Sequence, residues 1–164
     1  MSSVSLFRNW LTKQELSVND EPYLTRYCLL ALPGGRRLYL HHFTGDDWSR
    51  DPHDHPKTFW SIGLRGCYDE DVYQAQAVGR IQRVDSAGFH WDRQAVFQRR
   101  VRWTAPWFRK FPAEHIHNIH MVDGGTAWTL VWTGKESRMW GFWEDSKRWV
   151  DFRTYILKHM PGSS

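Results

Sequence analysis

Between residues 23 and 150 the sequence is cut repeatedly by turn signals, and most runs between the cuts alternate apolar and polar residues. Successive side chains of a strand point to opposite faces, so such runs build strands with one buried face and one wet face. Residues 23–32 end at Pro33-Gly34-Gly35 and are followed by 37–43, which predicts a hairpin. Residues 46–51 read as a polar loop. The run 53–64 is rich in aromatic and β-branched residues and is expected to stop at Gly66, with 68–76 as the next strand. Residues 93–104, 107–111, 115–122, 126–133, 139–143 and 147–150 continue the series, with a turn at Asp123-Gly124-Gly125. Residues 80–91 give no clear signal. Short helices are expected at 7–16 and 151–159. Nothing alternates strand with helix as a parallel sheet requires. Many short strands with closely spaced turns predict an all-β sandwich or barrel.

A chain of 164 residues fits one domain, 1–164, with a barrel core at about 23–150. Its two cysteines, Cys28 and Cys67, make no disulfide framework and no C-x-x-C pair, and both read as small core residues. The net charge is +4, but basic residues such as Arg99, Arg100 and Arg102 are interleaved with others, as on the wet face of a strand. That pattern argues against nucleic acid as a partner. No apolar stretch reaches membrane-spanning length, and residues 1–10 lack a signal-peptide pattern, so a soluble cytoplasmic protein is expected. A P-loop, a G-x-G-x-x-G and a serine or cysteine triad are all missing, which excludes those chemistries. Eleven Trp, nine Phe and six Tyr supply core area and can wall a ligand pocket.

Five of the nine histidines fall in two groups. One group is Asp51-Pro52-His53-Asp54-His55-Pro56, the other Glu114-His115-Ile116-His117-Asn118-Ile119-His120. On a strand, residues two apart share a face, so His53 and His55 can chelate one ion, with His117 reaching it from a distant strand. His115 has the parity of His117 and is a candidate fourth ligand or base. His120 has the opposite parity and is expected to face outward. Tyr68 near such an ion can act as acid, base or substrate clamp, and Glu114 can orient a histidine. For both, a polar strand end at the surface is the plainer alternative, as it is for Asp69 and Glu70 beside Tyr68. One of His41 and His42 must face inward, as a hydrogen-bonded core histidine. Arg65 and Arg109 can bind a carboxylate or phosphate, with solvated surface as the alternative.

These segments resemble the cupin superfamily. Its first motif reads G-x5-H-x-H-x3,4-E-x6-G. Here His53-x-His55 is followed by Phe59 in the glutamate position and then by Gly66, while Gly45 stands two residues too far upstream. Its second motif reads G-x5-P-x-G-x2-H-x3-N. Pro112 and His117 have the right separation, with Pro106, Glu114 and Met121 replacing the two glycines and the asparagine. The sequence also resembles small bacterial and phage cupin-like proteins through His53-Asp54-His55-Pro56, Trp128-Thr129-Leu130-Val131-Trp132-Thr133-Gly134 and Trp140-Gly141-Phe142-Trp143. The resemblance spans roughly residues 38–149. It implies a jelly-roll barrel, a double-stranded β-helix, with one divalent metal on His53, His55 and His117. With no glutamate, the three-His set is similar to that of the cysteine dioxygenase type, which implies ferrous iron, an open face for substrate and an oxygenase reaction. Zinc, nickel or manganese are the alternative ions. Three neutral ligands leave the ion its full charge, which favours an anionic small-molecule substrate. Phe59 would dry the pocket, and Trp128, Trp132 and Trp140 are candidates to exclude water. The alternatives are a non-catalytic metal- or ligand-binding barrel and a metal-dependent isomerase or epimerase. A homodimer through edge strands is a further expectation.

Overall fold

The protein is described by a computed structural model over residues 12–18, 21–47, 51–77, 83–85, 88–90 and 93–159. Its strands are β1 (Thr12–Val18), β2 (Glu21–Leu32), β3 (Arg36–Phe43), β4 (Phe59–Ala77), β5 (Arg83–Asp85), β6 (Gly88–His90), β7 (Arg93–Thr104), β8 (Trp107–Phe111), β9 (Ile116–Met121), β10 (Ala127–Thr133), β11 (Gly141–Glu144) and β12 (Arg148–Asp151), followed by helix α1 (Phe152–His159).

β4 organises the fold. Its first half lies between β10 and β8, and its second half between β7 and β9, all antiparallel. One sheet therefore runs β1-β2-β3-β10-β4 with β8 beyond, and the second holds β7, β4 and β9. A bulge joins the two halves: Trp128 opposes Arg65 and Thr129 opposes Gly63, so Leu64 is left without a partner. The extra residue flips the parity of everything after it. Before it Ser61 is buried; after it Tyr68 and Glu70 are. Gly66 carries the bend at φ 81°, where a Cβ would strike the Thr126 carbonyl.

The sheets enclose a core built on Leu24, Phe43, Tyr68, Ile119 and Ala127, with Trp103 and Trp107 packed against it. Burying each large side chain there contributes about 1.5–3 kcal/mol before entropy is counted. A second cluster of Phe142, Val150 and Tyr155 docks α1 on the β11–β12 hairpin. Tyr155 donates its hydroxyl to Asp51 at 2.8 Å, which ties α1 to the segment carrying His53 and His55. Both cysteines are free, with Cys28 buried.

Most predicted strands appear close to their expected bounds, and the C-terminal helix is present. Three expectations are corrected. Thr12–Val18 is a strand paired with β2, so no helix covers the end of 7–16; residues 7–11 lie outside the described ones. β4 does not stop at Gly66 but runs through it, because the bulge and the positive φ let one strand serve both sheets. Trp128 and Trp132 do not line the interior: Thr129, Val131 and Thr133 do, and Trp128 stacks on His42, ring centroids 4.1 Å apart. Arg100 and Arg102 are exposed on β7 and pair with Asp71 and Asp69 across the ladder.

Candidate metal centre

His53 and His55 do not sit on a regular strand. Residues 51–58 form an irregular, extended segment ahead of β4, with isolated bridges from His53 to His117 and to Phe142. Backbone bonds still fix it: His53 and His117 exchange N–H···O bonds at 3.0 Å, and the amides of Asp54 and His55 bond Gly141 and Ala113. Because the segment is extended, the two imidazoles share one side and Asp54 points to the other. The Asp54 carboxylate is 2 % exposed and accepts from Gly141 N, Trp149 Nε1 and Arg138. It works as a buried peg that holds the histidine pair against β11 and β12.

One ring nitrogen each of His53, His55 and His117 lies within 4.8 Å of the others. Nε2 of His55 and Nε2 of His117 are 3.0 Å apart. Metal–imidazole bonds of about 2.0–2.1 Å place two ligand nitrogens roughly 3 Å apart, so this spacing suits a shared ion. Nδ1 of His53 is buried without a hydrogen-bond partner; Asp47, the nearest carboxylate, is 3.9 Å away, beyond bonding range. Burial, then the neighbouring His117, pushes His53 and His55 well below the ordinary histidine value, so both rings are neutral and keep the lone pairs a metal needs. These residues fit a divalent ion.

Behind His117 stands Glu70, fully buried at 0 % exposure. Its Oε1 lies 2.6 Å from Nε2 of His115 and 2.7 Å from Nδ1 of His117, while Oε2 accepts from Trp103 Nε1 at 2.8 Å and Arg109 at 3.0 Å. Burial pushes this carboxyl up, but the bonds from His115 and His117 outweigh it and hold it well below the usual carboxylate range. Glu70, His115 and His117 form a second ligand-like trio. Both Glu70 oxygens, however, are already taken by four donors, so this trio is a hydrogen-bonded support behind the first.

The three imidazoles open into a cavity of about 500 Å³ inside the barrel. Phe59, Phe111, Trp140 and Phe142 line it beside them, and the Phe59 ring is 4.8 Å from that of His55. Tyr68 also lines it, packed edge-on against Trp107; burial pushes its phenol up, so the hydroxyl keeps its proton. His115 is bonded to Glu70 and does not line the cavity, so the structure gives it a place behind the histidines. Glu114 is exposed and outside the cavity lining; the turn after Pro112 leaves it in solvent. Arg109 is not a surface group either: its guanidinium holds Glu70 and lies over the rings of Trp103 and Phe111. Arg65 is exposed. His120 lies near Asp46 and Asp71, away from the cavity. His41 faces inward, but its Nε2 has no hydrogen-bond partner, against the expectation of a satisfied core histidine. Sequence reasoning placed Glu70 beside Tyr68 as a surface acid and gave Arg26 and Asp47 no role.

No helix among the described residues is long and apolar enough to cross a membrane. No protein-family profile and no curated protein matches the sequence. Solved structures do match in shape. A structure of FeII HppE aligns with TM-score 0.51 at 9 % identity, over 75 % of this chain and 56 % of that one. HppE with the alternative substrate (S)-1-HPP aligns at TM-score 0.50 and 9 % identity, over 75 % and 55 %. A cupin-2 domain protein from Rhodospirillum rubrum aligns more weakly, at TM-score 0.46 and 14 % identity, over 77 % and 72 %. The chain thus spans a little over half the length of the HppE structures. At these identities the likeness is one of fold: this chain shares the β-barrel architecture of the HppE structures, with two antiparallel sheets sharing β4 around a central cavity.

Proposed function

We propose that the protein is a metal-dependent enzyme acting on a small molecule, an oxygenase using one ferrous ion held by His53, His55 and His117. The observation that carries this is the convergence of three imidazoles on one point at the wall of an aromatic cavity. The Fe(II) in the HppE structures makes iron the first ion to test. An ion held by these three residues would supply a Lewis-acidic, redox-capable centre.

The chain's own residues do the rest. Glu70 can only accept, so Nδ1 of His117 carries the proton and Nε2 presents its lone pair. Phe59 and Phe111 exclude water from that side and strengthen every electrostatic contact there. Tyr68, protonated and in the cavity wall, can donate a hydrogen bond to a bound ligand. His115 keeps Glu70 charged and in place.

The test is elemental analysis of purified protein together with dioxygen consumption by the iron-loaded form, screened over small carboxylates and phosphonates. One equivalent of metal, with uptake that chelation abolishes and ferrous iron restores, is expected. Tight zinc without uptake on any substrate points to a binding barrel instead. Turnover that survives complete removal of metal overturns the proposal.

A further inference from the structure

A row of polar side chains crosses the other sheet of the same cavity. Arg26 on β2 is register partner of His41 on β3, and His41 of Thr129 on β10. All three line the cavity. Nε of Arg26, Nε2 of His41 and Oγ1 of Thr129 are each buried without a hydrogen-bond partner. Among the described residues no carboxylate pairs with Arg26; its guanidinium lies 5.9 Å from the Tyr39 ring centroid, and Tyr23 and Gln14, its register partner on β1, are further polar groups of the lining near it. Asp47, the acid of the cavity wall, is turned to the amide of Ile119.

A half-buried cation with no carboxylate partner, its Nε unbonded, and two further orphaned polar atoms in one row are costly to maintain. Random placement does not explain them, since the neighbouring inward positions Leu24, Phe43 and Val131 are apolar and well packed. An oxyanion repairs all three deficits together. It takes the guanidinium fork on two oxygens, accepts a hydrogen bond from the His41 ring N–H in the matching tautomer, and accepts another from the Thr129 hydroxyl.

We infer that Arg26, His41 and Thr129 form a recognition site for an oxyanion, the carboxylate or phosphoryl-type end of the ligand that occupies the barrel. This rests on the cavity being the substrate site of the proposed function, and it fixes the substrate class as anionic small molecules. The metal centre and the anion row are then two separate handles on one ligand, with Phe59 and Ser61 between them along β4.

The test is run on metal-free protein, so it stands or falls independently of the metal centre. Inorganic phosphate and propionate are titrated separately by calorimetry into wild type, Arg26→Gln, Thr129→Val and Arg102→Gln, the last removing an exposed cation paired with Asp69. Saturable binding of at least one anion by wild type is expected, and the preferred one distinguishes phosphoryl from carboxylate ligands. Arg26→Gln should weaken that binding tenfold or more and Thr129→Val severalfold, with Arg102→Gln unchanged. Metal uptake on reloading should be equal in all four. If Arg26→Gln fails to fold, Arg26→Lys replaces it, keeping charge but losing the fork, with a severalfold loss expected. No saturable anion binding by wild type, or equal binding by the Arg26 variant, overturns the inference.

Discussion

Oε1 of Glu70 sits 2.7 Å from Nδ1 of His117, on the far side of the ring from the nitrogen that faces His55. The cupin resemblance places a metal-binding glutamate at the position of Phe59, and this barrel lacks it. A carboxylate nevertheless lies behind the histidine that closes the trio. Glu70→Gln removes the charge and offers a donor where four donors already converge. Metal affinity is expected to fall about 10–100-fold, as when other carboxylates behind ligand histidines are removed. Stability should fall by at least about 2 kcal/mol, because charge-assisted bonds to Arg109, His115 and His117 are weakened together. Competition titration with a chelator and urea denaturation check the two parts.

The three histidines are not equivalent in what else they hold. His55 gives its side chain to the cavity, whereas His117 is 5 % exposed and bonded to Glu70. His55→Ala should strip most of the metal and leave the urea midpoint of the metal-free protein nearly unchanged. His117→Ala should strip it too, but at a cost of about 1–3 kcal/mol for leaving Glu70 short of a donor. Elemental analysis beside denaturation of chelated samples reads both. Equal stability losses in the two variants would show that Glu70 does not depend on His117.

Much of this was legible in the sequence because it is local. Alternation gave β7 and β8 with their observed ends, and the H-x-H spacing pointed to His53, His55 and His117. Glu70 and Arg26 were not legible, since each depends on a non-local fact. Glu70 faces inward only because Leu64 bulges out of register with β10, and no residue type announces that bulge. Arg26 faces inward by simple parity with Leu24, but an isolated arginine in a strand reads as solvated surface. The role of Asp54 is equally non-local: strand parity turns it away from His53 and His55, but what its carboxylate meets there, Gly141 and Trp149, lies some ninety residues on in the chain.

Gly66 is where β4 passes from one sheet to the other. Its φ of 81° is strained for any other residue, and an added Cβ would come within 1.9 Å of the Thr126 carbonyl oxygen. Gly66→Ala is therefore expected to cost at least about 2 kcal/mol, against a few tenths for an exposed strand position that tolerates alanine. The bend also sets where Tyr68 and Glu70 enter the core, so the variant should lose metal affinity although it touches no ligand. Tryptophan-fluorescence denaturation and metal titration together check this. A variant that is destabilised yet binds metal normally would separate the corner from the site.

The acid limb of stability has an assignable contributor far from the metal. Glu144 on β11 receives Lys158 at 2.7 Å, Arg148 at 2.7 Å and His159 at 3.2 Å, which fastens the end of α1 to the hairpin. Its pKa is lowered from 4.5 to about 2, chiefly by the Lys158 bond, with burial opposing and Arg148 and His159 adding. A carboxyl depressed in the folded state binds fewer protons there than in the unfolded chain. Its stabilisation is thus complete above about pH 4.5 and is lost as the pH falls towards 2. Wild type should lose melting temperature across this window more steeply than Glu144→Gln, and the two curves should converge at the acid end. Because Lys158 and Arg148 are largely exposed, added salt should shrink the difference. Melting curves of chelated protein at low and high ionic strength read this directly, and parallel curves at low salt would mean that α1 is held by Phe142, Val150 and Tyr155 alone.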